Sequence, residues 1–89
     1  MKRLQNKVAF ISGGSSGQGA AETKLFVNEG AKVIFGDIQD EKGKALEKEV
    51  RNSGGEATYI HLDVTKESDW KNAISKAVEL YAQIDILIN

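Results

Sequence analysis

A doubly wound parallel α/β sheet is the fold class this sequence predicts, and three observations predict it. Short, nearly continuous apolar runs recur at four places along the chain. Stretches of helical period separate them. Four glycines fall within Ser12–Gly19, between the first apolar run and the first helical stretch. Continuous apolar runs read as strands covered on both faces, as in parallel sheets. Their alternation with helices over short connections implies right-handed βαβ crossovers. The expected strand order is 3-2-1-4, with the first two helices on one face and the third on the other.

The elements follow in order. Lys7–Ser12 is the first strand. Gly19–Glu29 is the first helix, with Ala21, Leu25 and Phe26 near helical spacing and Gly30 as its stop. Lys32–Asp37 is the second strand. Asp40–Ser53 is the second helix, opened by a cap-type Asp, with Gly43, Leu46 and Val50 on its inner face. Its charged residues, Glu47 and Arg51 among them, read as a solvated surface with i,i+4 pairs. Ala57–Val64 is the third strand. The third helix carries Trp70, Ala73, Ile74, Ala77, Val78 and Tyr81 on one face, with Thr65 as its cap and Glu67 and Asp69 in its first turn. Ile84–Ile88 is the fourth strand.

Composition narrows the function classes. The chain has 89 residues, 40% hydrophobic and 28% charged, with net charge −1 and no Cys. Such a length allows one domain, and the composition is globular. The near-neutral charge offers no basic patch for nucleic acid or an anionic membrane. Without Cys there is no disulfide, thiolate metal site or Cys nucleophile. The N-terminal hexapeptide lacks an apolar segment of signal-peptide type, and a cytoplasmic location is the expectation. Ile86-Leu87-Ile88 is followed by Asn89 alone. Domains seldom end on a bare apolar strand, so residues 1–89 read as part of a longer domain. Burying those three side chains is worth about 5–8 kcal/mol. With one helix over one face of that strand and nothing over the other, pairing with a further strand or a homo-oligomer is expected.

The first βα turn reads Ser12-Gly13-Gly14-Ser15-Ser16-Gly17-Gln18-Gly19. Glycines permit tight turns and let backbone approach a diphosphate, which the following helix N-terminus attracts. The spacing is G-x-x-x-G-x-G. A tight turn with close helix–strand packing is the alternative. Asp37 ends the second strand 18 residues after Gly19, where a carboxylate hydrogen-bonds a ribose diol and repels a 2′-phosphate. No Lys or Arg stands at Ser15, Ser16, Ile38 or Gln39 to offset it, so NAD is favoured over NADP. Asp63 ends the third strand, and a loop-capping role is the competing reading. Asn89 ends the fourth strand across the switch point from Ser12, where a hydrogen bond between them would tie the strand ends.

These residues resemble the N-terminal part of the short-chain dehydrogenase/reductase family over essentially the whole chain. Its loop T-G-x-x-x-G-x-G appears with Ser12 in place of Thr. Asn28-Glu29-Gly30-Ala31-Lys32-Val33 is similar to its E-G-A-x-V, and Ile84–Asn89 to the start of its I-D-x-L-V-N-N-A-G. The resemblance implies a Rossmann-like fold and an oxidoreductase using NAD, moving a hydride between nicotinamide and a secondary alcohol or ketone. It implies cofactor binding by Gly13, Ser15, Ser16, Gly17, Gln18, Gly19, Asp37, Ile38, Asp63, Val64 and Asn89, with Asp63 and Val64 toward the adenine. The string Leu62-Asp63-Val64-Thr65 with Asp69-Trp70 is similar to members acting on hydroxysteroids and cyclic alcohols. Three further positions depart from the pattern: Gln18 stands where Ile is usual, Glu22 where an apolar residue is common, and Ala82 where Gly is common. The family's catalytic Ser and Tyr-x-x-x-Lys have no counterpart among these residues, and neither Tyr59 nor Tyr81 has Lys four positions on.

The remaining residues have plainer readings. His61 is the single His, and a metal site needs three or four ligands. Trp70 reads as a helix–sheet packing anchor. An adenosyl-cofactor site of methyltransferase type shares the acidic residues after strands two and three, although the spacing from Gly13 to Gly17 argues against it. A non-catalytic nucleotide-binding fragment is the third reading.

Overall fold

A computed structural model describes residues 3–15 and 17–88. The order is β1 (Val8–Ser12), α1 (Gly17–Asn28), β2 (Lys32–Asp37), α2 (Asp40–Asn52), β3 (Ala57–His61), α3 (Glu67–Tyr81) and β4 (Ile86–Ile88). The four strands form one parallel sheet in the order β3-β2-β1-β4. The predicted topology is the observed one. Ser12 pairs with Gly36 and Asp37 with His61, so the carboxyl ends of β1, β2 and β3 form one rim.

The strand residues alternate between two cores. Ala9, Ile11, Val33, Phe35 and Ala57 face α1 and α2, where Phe26, Val27, Leu46 and Val50 cover them. Phe10, Ile34 and Leu62 face α3, whose Ala73 and Ala77 bring its backbone close to the sheet. β1 and β2 are buried throughout their apolar positions, while β3 and β4 are only half-covered.

Several boundaries and faces differ from the sequence expectation. β3 ends at His61 and not at Val64, because Asp63 turns the chain: its Oδ1 accepts bonds from the Thr65 N–H and hydroxyl. Thr65 is thereby spent on Asp63 and does not cap α3, whose N-cap is Lys66. Likewise Gln39 is the N-cap of α2 and Asp40 its first residue. On α1, Ala21 and Leu25 are exposed, and Thr23 takes the buried place. Ile74 and Val78 on α3 are exposed too, since the small Ala73 and Ala77 carry the contact.

On β4, Ile86 and Ile88 pack onto the core under α1 and α2, while Leu87 points to the α3 side and is 56% exposed. The sequence expectation had one face of this strand covered by a single helix and the other bare; the bare face is the α3 side, because α3 lies over Phe10, Ile34 and Leu62, away from β4.

The β3 edge is closed by α2. Glu47 Oε2 accepts the Tyr59 N–H at 2.7 Å and Arg51 Nε donates to the Ala57 carbonyl at 3.0 Å. These two side chains occupy outward main-chain groups that could otherwise recruit a further strand. They are more than the solvated pair that their i,i+4 spacing suggests.

Ala82 closes α3 in the left-handed region, φ 64°, its N–H bonded to the Val78 carbonyl. A Cβ there costs about 1 kcal/mol or more. Ala82→Gly is therefore expected to stabilise the fold by about 1 kcal/mol, read as a higher denaturant midpoint at unchanged slope. An unchanged or lower midpoint would contradict the strain.

Candidate functional site

The site lies at the rim made by the carboxyl ends of β1 and β2 and the loop after β3, the position expected of a doubly wound sheet. A cleft of about 310 Å³ is lined there by Gly13, Asp37, Ile38, Leu62, Asp63, Val64 and Thr65. A larger hollow, of about 450 Å³, lies beside the β3 edge near Arg51, Thr58 and Tyr81. Its one cation, Arg51, is already spent on the Ala57 carbonyl and the Thr58 hydroxyl, and its glycines, Gly54 and Gly55, follow the C-terminus of α2, the helix end that disfavours an anion.

β1 leads straight into the glycine turn. The Gly13 and Gly14 N–H groups both donate to the Gly36 carbonyl, at 2.7 and 3.3 Å. Gly13 and Gly17 have φ of 73° and 58°, a conformation that favours glycine. Gly14 and Gly19 are glycines for a different reason, close approach. A Cβ on Gly14 would stand 2.6 Å from the Phe35 Cβ, and one on Gly19 would stand 2.9 Å from the Gly14 Cα. The sequence pattern singled out Gly13, Gly17 and Gly19. Gly14 and Gly36 escaped it, although one is jammed against β2 and the other supplies the carbonyl that anchors the turn. Gly17 and Gln18 are exposed in the first turn of α1.

Ser15 is 6% exposed, and its Oγ has no hydrogen-bond partner among the described residues. Its N–H donates to Asp37 Oδ2 at 3.3 Å. Asp37 Oδ1 accepts from the Ile38 N–H at 2.7 Å and the Gln39 N–H at 3.3 Å. Three main-chain donors thus fix one carboxylate at the wall of the cleft. Ile38, 62% exposed, and Val64, 55% exposed, form apolar walls of the same cleft. The loop carrying Val64 is held by the Trp70 indole N–H, which donates to the Val64 carbonyl at 2.9 Å. The Trp70 ring lies 5.9 Å from that of Phe10. It is the packing anchor its position suggested, and it also shapes the cleft. Asp63 holds Thr65 as a loop-capping Asp does, with its main-chain N–H donating to Asp69 Oδ2 at 2.8 Å. Ser16 and Asn89 lie outside the described residues. Ser12 Oγ donates to the Ile88 carbonyl at 3.4 Å, tying β1 to β4 across the switch point.

A network behind Asp37 was not legible from spacing. The Tyr59 hydroxyl lies 2.6 Å from the Asp37 carbonyl and also contacts Asp40 Oδ1. His61 Nδ1 lies 2.8 Å from the same Asp40 oxygen, and since a carboxylate only accepts, Nδ1 carries the proton. Tyr59 and His61 thus brace the β2–α2 loop from β3. Burial, then the Asp40 hydrogen bond, push the Tyr59 phenol up, and bonds from Tyr59 and His61 hold the Asp40 carboxyl down. The Asp40 bond, with the charges of Asp69 and Asp63, raises His61 above its ordinary 6.5.

A raised imidazole pKa contributes stability that is complete below its unfolded value and is lost as the pH rises through the folded one. The melting temperature of the parent chain minus that of His61→Gln should therefore shrink between about pH 6 and pH 8. A difference independent of pH would remove the ion pair from the account.

The model of the family described as short chain dehydrogenase matches residues 7–89. The 2,5-dichloro-2,5-cyclohexadiene-1,4-diol dehydrogenase LinX of Sphingobium indicum is 49% identical over 87 residues, covering 98% of this chain and 35% of LinX. Short chain aldehyde dehydrogenase 1 of Euphorbia lathyris is 50% identical over 99% of this chain and 30% of its own length. A 3-alpha-(or 20-beta)-hydroxysteroid dehydrogenase of Mycobacterium bovis is 46% identical over 98% of this chain and 32% of its own length. The crystal structure of gox2181 superposes with a TM-score of 0.92 at 29% identity, over 96% of this chain and 33% of that one. The chain spans about a third of the length of the curated relatives it matches.

Proposed function

Because this chain belongs to the short chain dehydrogenase family, we propose that it is the NAD-binding part of an oxidoreductase acting on a secondary alcohol or ketone. The carrying observation is the Ser15 N–H bond to Asp37 Oδ2 at 3.3 Å. It brings the glycine turn and the acid at the cleft wall together as one surface, suited to a diphosphate followed by a ribose. The buried Ser15 hydroxyl, without a partner among the described residues, fits that role, as does the backbone approach at Gly19 that no side chain would permit.

In this reading Gly13, Ser16, Gly17, Gln18 and Gly19 surround the diphosphate, and the α1 N-terminus favours its charge. Asp37 and Ser15 hold the adenosine ribose. Ile38 and Val64 sandwich the adenine with Asp63 near its amino group, and Asn89 closes the nicotinamide side. The nicotinamide, when bound, supplies the hydride acceptor or donor. What these residues contribute is binding and orientation. Proton transfer to the substrate oxygen belongs to a Tyr-x-x-x-Lys that this stretch does not contain, and we assign it to the remaining two thirds of a protein of the relatives' length. Hydroxysteroids and cyclic alcohols are the favoured substrate class, in line with the names of LinX and the hydroxysteroid dehydrogenase. A homo-oligomer is the favoured assembly.

Calorimetric titration of the full-length protein with NADH and S-adenosylmethionine tests the reading. NADH should bind with micromolar affinity and the adenosyl cofactor should give no heat. The opposite pattern would favour the methyltransferase alternative, and no heat from either would favour a non-catalytic scaffold without a ligand.

A further inference from the structure

Among the described residues α1 buries one side chain completely, and that side chain carries a hydroxyl: Thr23, 0% exposed. An aliphatic residue is the ordinary occupant of such a place, and Thr is a modest helix former. Thr23 Oγ1 lies 2.9 Å from the Gly19 carbonyl and 3.5 Å from the Gly14 carbonyl. The first contact is the familiar back-bond to residue i−4. The second leaves the helix and reaches the turn before it. One hydroxyl proton is thus shared between carbonyls near the two ends of the glycine loop. Gly14 is also wedged between β2 and α1: an added Cβ would stand 2.6 Å from the Phe35 Cβ of β2 and 3.2 Å from Thr23 Oγ1. The Gly36 carbonyl of β2 holds the Gly13 and Gly14 amides. The turn is therefore held by its amides to β2 and by the Gly14 carbonyl to α1.

We propose that Thr23 is a positioning residue for the dinucleotide: its hydroxyl sets the separation of the Gly13–Gly14 turn from the α1 N-terminus, and with it the width of the diphosphate cradle. The proposal rests on the dinucleotide reading above. Thr23 touches no ligand. It acts through Gly14 and Gly19, and its removal leaves the loop glycines in place with the turn freed on one side. Thr23→Val keeps the shape of the side chain and removes only the donor.

The test uses the full-length protein with Thr23→Val, Thr23→Ser and Thr23→Ala. NADH affinity is measured by fluorescence titration, and amide hydrogen exchange of the 13–19 loop is measured without cofactor. Thr23→Val should weaken NADH binding about three- to tenfold, the equivalent of one hydrogen bond, and should speed loop exchange. Thr23→Ser should restore both to within about twofold of the parent, since it keeps the hydroxyl. An unchanged NADH affinity in folded Thr23→Val overturns the proposal, as does an equal loss in Thr23→Val and Thr23→Ser, which would show that retaining the hydroxyl does not preserve binding. If Thr23→Val does not fold, the Ser and Ala variants decide: equal affinities overturn the proposal, and a loss confined to Ala supports it. A parent protein that binds no NADH overturns the dinucleotide reading instead, and the cofactor-free exchange comparison still decides whether Thr23 holds the loop.

Discussion

Gly19→Val is expected to abolish NADH binding in the full-length protein, at a stability cost of about 1–3 kcal/mol. A Cβ at Gly19 would lie 2.7 Å from the Gly13 carbonyl carbon and 2.9 Å from the Gly14 Cα, and closer still to the Gly13 carbonyl oxygen. All three atoms are main chain, so no rotamer change relieves the clash. Either the turn or the first turn of α1 must move, and both border the proposed diphosphate site. Valine adds a second branch and a single preferred rotamer in a helix, which makes accommodation harder than with alanine. Gly13 and Gly17 offer a contrast. A Cβ at either meets nothing within 4 Å, and the difficulty there is the positive φ alone, a strain of about 1–2 kcal/mol. Binding loss should therefore be more severe for Gly19→Val than for Gly13→Ala. Calorimetry on variants whose circular dichroism is native-like measures it. Unchanged NADH affinity in folded Gly19→Val would reduce the loop to a turn without a ligand.

The preference for NAD(H) over NADP(H) is expected to reach about a hundredfold or more, since apposing like charges costs several kcal/mol. The Asp37 carboxylate is not free to swing aside. It is held by the N–H groups of Ser15, Ile38 and Gln39 at 3.3, 2.7 and 3.3 Å. A 2′-phosphate would meet it with no basic side chain at Ser15, Ser16, Ile38 or Gln39 to offset the repulsion. Asp37→Ala with Ile38→Arg removes the fixed charge, frees three main-chain donors for a phosphate and adds a guanidinium that can bind it bidentately. That double variant should bring the two affinities within about tenfold or reverse their order. Parallel titrations with both cofactors provide the measurement, and equal affinities in the unmutated protein would sink the assignment.

The strand order, the division of the helices between the faces and the place of the glycine turn were all legible in the residues. Each rests on a local signal. Val8–Ile11 and Val33–Phe35 are apolar without interruption, a pattern that fits burial on both faces. Four glycines between Ser12 and Gly19 leave few alternatives to a turn. The limits of this reading appear at Thr65 and Asp40, residues of capping type whose side chains are spent elsewhere, on Asp63 and on Tyr59 and His61. They appear again on α1, where helical spacing pointed to Ala21 and Leu25 but Thr23 is buried.

Periodicity along the chain records which positions are apolar, and that was enough for the sheet and the location of its ligand rim. Partner choice among polar side chains leaves no such record. Tyr59 and Asp40 are 19 residues apart, and Ser15 and Asp37 are 22 apart. Their bonds exist because parallel pairing sets β1, β2 and β3 in register, bringing their carboxyl ends to one rim within reach of a side chain. The brace behind Asp37, the buried place of the Ser15 hydroxyl and the Thr23 clamp on the glycine turn all depend on that register. A hydrogen bond is directional and acts over about 3 Å, whereas apolar burial is non-directional and tolerates much looser placement.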